Sequence, residues 1–224
     1  MKFNSSYFGL LLFFPWLGSG LNSFDTQPWV SALLLVLFLS RIGSISARSL
    51  FIVSVLFLGV VMFQSMSLLK EGGGDLILFI RGIAGIFVSF FSVLYFSSLN
   101  ANLLTRMVYM ANIIYLFFGV FQLLFGYELT LLLFESRTSP LRGVTSLTPE
   151  PTFFGLVLLV FLVFNLYFTR NYFIVVLNVI GIFFLAKSST AIIGALVVLF
   201  VWAACIRVNI FYKILFLFLV GVMA

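Results

Sequence analysis

The stretch Leu141-Arg-Gly-Val-Thr-Ser-Leu-Thr-Pro-Glu-Pro-Thr-Phe-Phe-Gly155 is a polar island between two long apolar runs, 103–126 and 152–169. Pro149 and Pro151, with Pro140 just ahead, make up three of the five prolines in the chain. The flanking runs decide the fold, because each approaches the roughly 20 apolar residues that a membrane-spanning helix needs. Working outward, the same pattern holds almost everywhere: 63% of the 224 residues are hydrophobic and 8% are charged, against about 25% charged in soluble domains. Mean hydropathy is +1.28. No soluble fold of this length hides so much apolar surface, so the expected class is an all-α integral membrane protein. Backbone groups in lipid must be satisfied within their own segment, which selects helix. The runs are too long and too uniform for barrel strands.

The apolar runs lie at 6–21, 28–40, 49–69, 76–98, 103–126, 152–169, 171–186, 188–206 and 209–224. They predict one polytopic domain over 1–224, a bundle of about nine transmembrane helices. The first two runs are short, Pro15 kinks the first, and the pair is open to a reading as two short spans or a shallow hairpin. Gly18-Ser-Gly20 is a poor signal-peptidase site, so the first run reads as a membrane helix and not as a leader.

Charge placement tests the count. With a cytoplasmic N-terminus, one side receives Lys2, Arg41, Arg48, Arg106, Arg170, Arg207 and Lys213 and no acid. The other receives Lys70, Arg137, Arg142 and Lys187 with all six acids: Asp25, Glu71, Asp75, Glu128, Glu135 and Glu150. The Lys and Arg excess marks the cytoplasmic side, which puts the loop 127–151 outside. The net charge of +6 comes from single, scattered cations, so it is a topology signal and does not point to nucleic acid. Cys205 is the single cysteine and there is no histidine; neither a disulfide nor a metal site is expected, and no cofactor. The last run reaches Ala224 without a flanking charge, from which a fragment of a longer protein is expected.

The candidate residues are polar groups at or near the outer ends of these runs. Glu150-Pro151 stands where loop meets helix. Proline suits a first helical position, and a carboxylate beside it is favoured by the helix dipole; the alternative is that Glu150 is held on a rigid helix end facing a cleft. Arg142 and Arg137 are the loop's cations, either solvated or gripping a phosphate with the guanidinium fork. Arg81 interrupts Leu76-Ile-Leu-Phe-Ile-Arg-Gly-Ile-Ala-Gly85, where a charge is costly; it either snorkels to the outer surface or lines a cavity open to it. Lys187-Ser-Ser-Thr190 opens the eighth run, with Ser189 as a candidate contact. Thr190/Gly194 and Ala191/Ala195 have the small-x-x-x-small spacing of close helix packing. The 31 phenylalanines read as lipid-facing and packing material.

An Arg-x-Gly…Glu-Pro-x-x-x-Gly loop entering a helix, carried here by Arg142, Gly143, Glu150, Pro151 and Gly155, resembles the bacterial O-antigen and exopolysaccharide polymerases of the Wzy type, which belong with the O-antigen ligases. The segment Lys187-Ser-Ser-Thr-Ala-Ile-Ile-Gly194 also resembles that family, with Thr190 where the family carries arginine. Outside these segments only the hydrophobic topology matches. The resemblance implies a membrane glycosyltransferase without a nucleotide-sugar donor. It lengthens a glycan on undecaprenyl diphosphate by one lipid-linked repeat unit, as in the synthesis of O-antigen or capsule. Glu150 would act as base and Arg142 would stabilise the leaving diphosphate; Arg137, Arg81, Lys187 and Ser189 would contact substrate. The implied setting is the bacterial cytoplasmic (inner) membrane, alongside chain-length-regulator and flippase proteins. A transporter or flippase of lipid-linked oligosaccharides is the competing expectation, suggested by Arg81 inside a span.

Overall fold

The computed structural model describes residues 5–17, 28–70, 76–126 and 143–205. Among them the secondary structure is helical, with no strand. After a 3-10 segment, Ser5–Phe13, come α1 (Pro28–Arg41), α2 (Ala47–Lys70), α3 (Leu76–Ser97) and α4 (Ala101–Phe125). Then follow α5 (Pro151–Phe164), α6 (Tyr172–Ile180) and α7 (Ser189–Cys205). α5 runs on into a π turn, Asn165–Thr169, and α6 into another, Gly181–Ala186. Two helices, Ala101–Phe125 and Pro151–Thr169, are long and apolar enough to cross a membrane. Large apolar side chains are exposed on several helices, among them Phe168 at the end of the second of these two and Phe63 on α2, each 75% exposed.

The helices follow the apolar runs closely, with one difference at the start. The run 6–21 is expected as a first spanning helix, but its described part is a nine-residue 3-10 helix that stops before Pro15. Proline has no N–H and its ring blocks the α-helical ladder. The chain turns instead through short bonds, Phe14 N–H to Leu11 O and Leu17 N–H to Phe14 O, at 3.0 and 3.2 Å. The run 209–224 lies outside the described residues.

The chain divides into two compact units, 1–111 and 112–224, with the boundary inside α4. In the first, α3 packs against both α1 and α2. Its core gathers Leu12, Val30, Leu34, Leu37, Tyr95, Leu99 and Met107. Phe91 is the aromatic hub, with ring centroids 4.6 Å from Phe87, 5.2 Å from Phe38 and 5.5 Å from Phe57.

In the second unit α5 packs against α6 and α7. α5 and α7 run parallel and very close, as two contacts show. A Cβ built on Gly155 would stand 2.7 Å from the Ala191 Cβ, and one built on Gly194 would stand 2.5 Å from Leu159 Cδ2. Ala191 and Ala195 are fully buried, so the small-residue spacing is used for helix packing. The turns into α6 and α7 are tight and alike. Arg170 and Lys187 each adopt the left-handed conformation, φ 53° and 50°. The next residue then caps the following helix: Asn171 Oδ1 accepts from Ile174 N–H at 3.4 Å, and Ser188 Oγ accepts from Ala191 N–H at 3.4 Å.

Candidate functional site

A loop between two membrane helices is expected at the surface, with its backbone in water. The loop 143–150 is not there: Val144 to Thr148 are buried. The backbone polar groups of such a segment need protein partners, and α4 supplies them through one side chain. Gln122 Oε1 accepts from the N–H groups of Thr145 (3.0 Å) and Ser146 (2.6 Å). Its Nε2 donates to Ser146 O (3.0 Å) and to Thr145 Oγ1 (3.2 Å). Ser146 Oγ donates further down the helix, to Tyr115 O at 2.6 Å. Tyr115 lies ten residues before the end of α4, so the loop dips about 15 Å below that end. Thr148 closes the turn, its hydroxyl lying 2.7 Å from Thr145 O and 2.8 Å from Glu150 O.

The far side of the loop rests on the turn between α6 and α7. Val144 N–H donates to Leu185 O at 2.8 Å. Gly143 has φ 67°, and a Cβ there would stand 2.6 Å from Leu185 O and closer still to Ala186 O. Only glycine meets both demands, a left-handed backbone and no side chain against a carbonyl. Ser146 is also left-handed, φ 51°, and is held there by its bonds to Gln122 and Tyr115. Such a conformation costs a non-glycine residue about 1–2 kcal/mol.

This scaffold presents Glu150 and Lys187 at one end of the unit. Glu150 is the N-cap of α5, with extended backbone (φ −140°, ψ 150°) and Pro151 at the first helical position. Its carbonyl receives Phe154 N–H at 3.2 Å, while its carboxylate makes no capping bond. The backbone reading of Glu150-Pro151 therefore holds, and the acid group remains free of that structural task. Gly155 lies one turn below Pro151 and touches Ala191, which lies one turn below Lys187. Gly155 also meets Ser188 and Ala186, so the turn that carries Lys187 lies beside Gly155, about one and a half turns along α5 from Glu150. Glu150 is half-buried and Lys187 exposed. Ser189 is exposed at the start of α7; the buried hydroxyl that caps this helix is that of Ser188.

The chain matches no protein-family model, no curated protein and no solved structure.

Of the expected site residues, three lie in the second unit: Glu150, Lys187 and Ser189. Arg137 and Arg142 lie outside the described residues, the latter directly before Gly143. Arg81 belongs to α3 in the first unit, and its side chain is not among those described. Among the described residues no three or more Cys, Asp or Glu side chains gather. The sequence reading missed Gln122 and Tyr115, which hold the loop from α4, while Ser188 belongs to the Lys187-Ser-Ser-Thr190 segment that it singles out. A signal for the first two existed in the spacing Asn112, Tyr115, Gly119, Gln122: polar and small residues on one stripe of α4. Chemically, the end of the unit offers an uncommitted carboxylate that can take a proton. The same unit also carries an exposed cation, Lys187, that can meet an anion, and the exposed hydroxyl of Ser189.

Proposed function

We propose that this protein is a membrane glycosyltransferase that polymerises lipid-linked oligosaccharide repeat units into a surface polysaccharide such as O-antigen or capsule. The observation that carries the reading is Glu150, fixed on a helix end by its backbone, with a carboxylate that makes no capping bond, on the same unit as Lys187. The charge segregation supports an arrangement of about nine spans with a cytoplasmic N-terminus, which puts Glu150, Lys187 and the loop on the outer face of a bacterial inner membrane. The substrates are then undecaprenyl-diphosphate-linked glycans in the outer leaflet.

In the reaction the acceptor hydroxyl attacks the anomeric carbon of the growing glycan. A new glycosidic C–O bond forms, and the C–O bond to the lipid diphosphate breaks, the diphosphate leaving with its electron pair. Glu150 takes the hydroxyl proton. Lys187 and the loop arginines Arg142 and Arg137 stabilise the charge that builds on the diphosphate. Ser189 completes the substrate contacts. Chain-length-regulator and flippase proteins are the expected partners in the membrane.

A second reading, a flippase for the same lipid-linked sugars, draws on the buried amides of Asn112 and Asn178 inside the helix bundle. One experiment separates the two. In cells carrying Glu150→Gln, a polymerase leaves single repeat units on lipid A or on lipid carrier at the outer face, with no long polymer and unchanged protein level. A flippase leaves them on the cytoplasmic face. Long polymer of normal length in this strain rules out the catalytic role.

A further inference from the structure

The buried polar side chains of the second unit nearly all have partners. Gln122, Thr145, Ser146 and Thr148 bond to one another and to α4. Asn165 donates to Phe161 O at 2.8 Å and accepts from Thr169 Oγ1 at 3.1 Å. Two residues stand apart. Asn112 on α4 and Asn178 on α6 are both 0% exposed, and no protein atom bonds the Nδ2 or Oδ1 of either.

Their placement is related. Leu116 Cδ2 lies 3.0 Å from a Cβ built on Gly181, and Leu185 Cδ1 lies 3.3 Å from one built on Gly119. α4 and α6 therefore run parallel where they meet. One turn back from Leu116 is Asn112; the same rise back from Gly181 reaches Leu177 and Asn178. Each amide also shares the face by which its helix meets the other, since residues three or four apart are neighbours on a helix surface. Gly181 opens a π turn, a widening that recurs at functional sites.

We propose that Asn112 and Asn178 form a buried water site that ties α4 to α6 inside the second unit. A carboxamide both donates and accepts, so an occupant serving two of them must do both, as water does, and water needs two to four polar partners. A hard cation takes six or more oxygens; two amide oxygens are too few, and no carboxylate is buried among the described residues. The site is independent of the chemistry proposed for Glu150.

The test is a double-mutant cycle on the full chain purified from membranes, read by melting temperature. A shared water predicts that Asn112→Leu and Asn178→Leu each lower the midpoint by roughly 4 °C or more. The double variant should then fall no further than the worse single one, because the bridge is already lost. Unchanged or raised midpoints overturn the proposal, since two separate unpaired amides are improved by leucine; additive losses overturn it too, since they mean that each amide has a partner of its own. If the leucine variants do not accumulate, an experimental map of the unaltered protein decides. Density about 2.7–3.2 Å from both amides supports the site; direct Asn–Asn contact or a dry cleft overturns it.

Discussion

Glu150 and Gln122 are both polar residues near the ends of apolar helices, yet they do opposite work. The Gln122 side chain carries the loop, and the Glu150 side chain carries none of it. Gln122→Leu leaves the Thr145 and Ser146 N–H groups buried without an acceptor, at about 1–3 kcal/mol each. The expected outcome is a melting temperature lowered by several degrees, with activity lost alongside. Glu150→Gln removes no capping bond, so stability should stay within about 0.5 kcal/mol of the unaltered protein, while polymerisation slows by roughly 10²–10⁴-fold. Measuring melting and polymer length on both variants checks this contrast; a strongly destabilised Glu150→Gln protein would return the carboxylate to a structural role. Lys187 has two separable parts, its ammonium and its left-handed backbone. Lys187→Gly relieves the backbone strain and removes the charge, so it should melt no lower than the unaltered protein and yet lose activity.

At the scale of elements, helix boundaries were legible because apolar runs and polar breaks are what lipid selects. Lys187 reads as a break for that reason, and Pro151 as a helix start. What was not legible was the course of the loop. Its residues Thr145, Ser146 and Thr148 are hydroxylic and look solvent-loving. The partner that buries them, Gln122, is 23 residues away from Thr145 in sequence, and a single amide late in a span looks like an ordinary span end. The 3-10 form of Ser5–Phe13 was equally hidden, because apolar content does not separate it from an α-helix. The α5–α7 contact gives the prediction for this scale. Gly155→Val drives a branched side chain into Ala191 and Ser188, and overpacking of this kind costs about 1–3 kcal/mol. Because the same contact seats the turn that carries Lys187 against α5, the helix that carries Glu150, activity should fall further than the stability loss explains. Ala191→Gly in the same chain should recover part of both, measured as melting temperature and polymer length; no recovery would mean that the contact is not the cause.

At the scale of the whole molecule, the prediction concerns sidedness. Reporters fused after Arg41, Arg106 or Arg170 should read cytoplasmic, and one fused after Arg137 should read extracytoplasmic. The same side for Arg170 and Arg137 would break the proposed arrangement and the outer site with it. The loop adds a matter of timing during synthesis. Val144 bonds to Leu185 and Gly143 seats on Ala186, and these partners are made some forty residues later. At about 5–20 residues per second, the ribosome supplies this far side of the seat only seconds after the loop itself has been made. In that interval only the α4 part of the seat, Gln122 and Tyr115, is already made, and an insertion machinery that shelters polar segments would have to shield the rest. The site is thus a late product of biogenesis, completed when α6 arrives, and a nascent chain arrested before residue 185 should expose Val144 to protease where the finished protein does not.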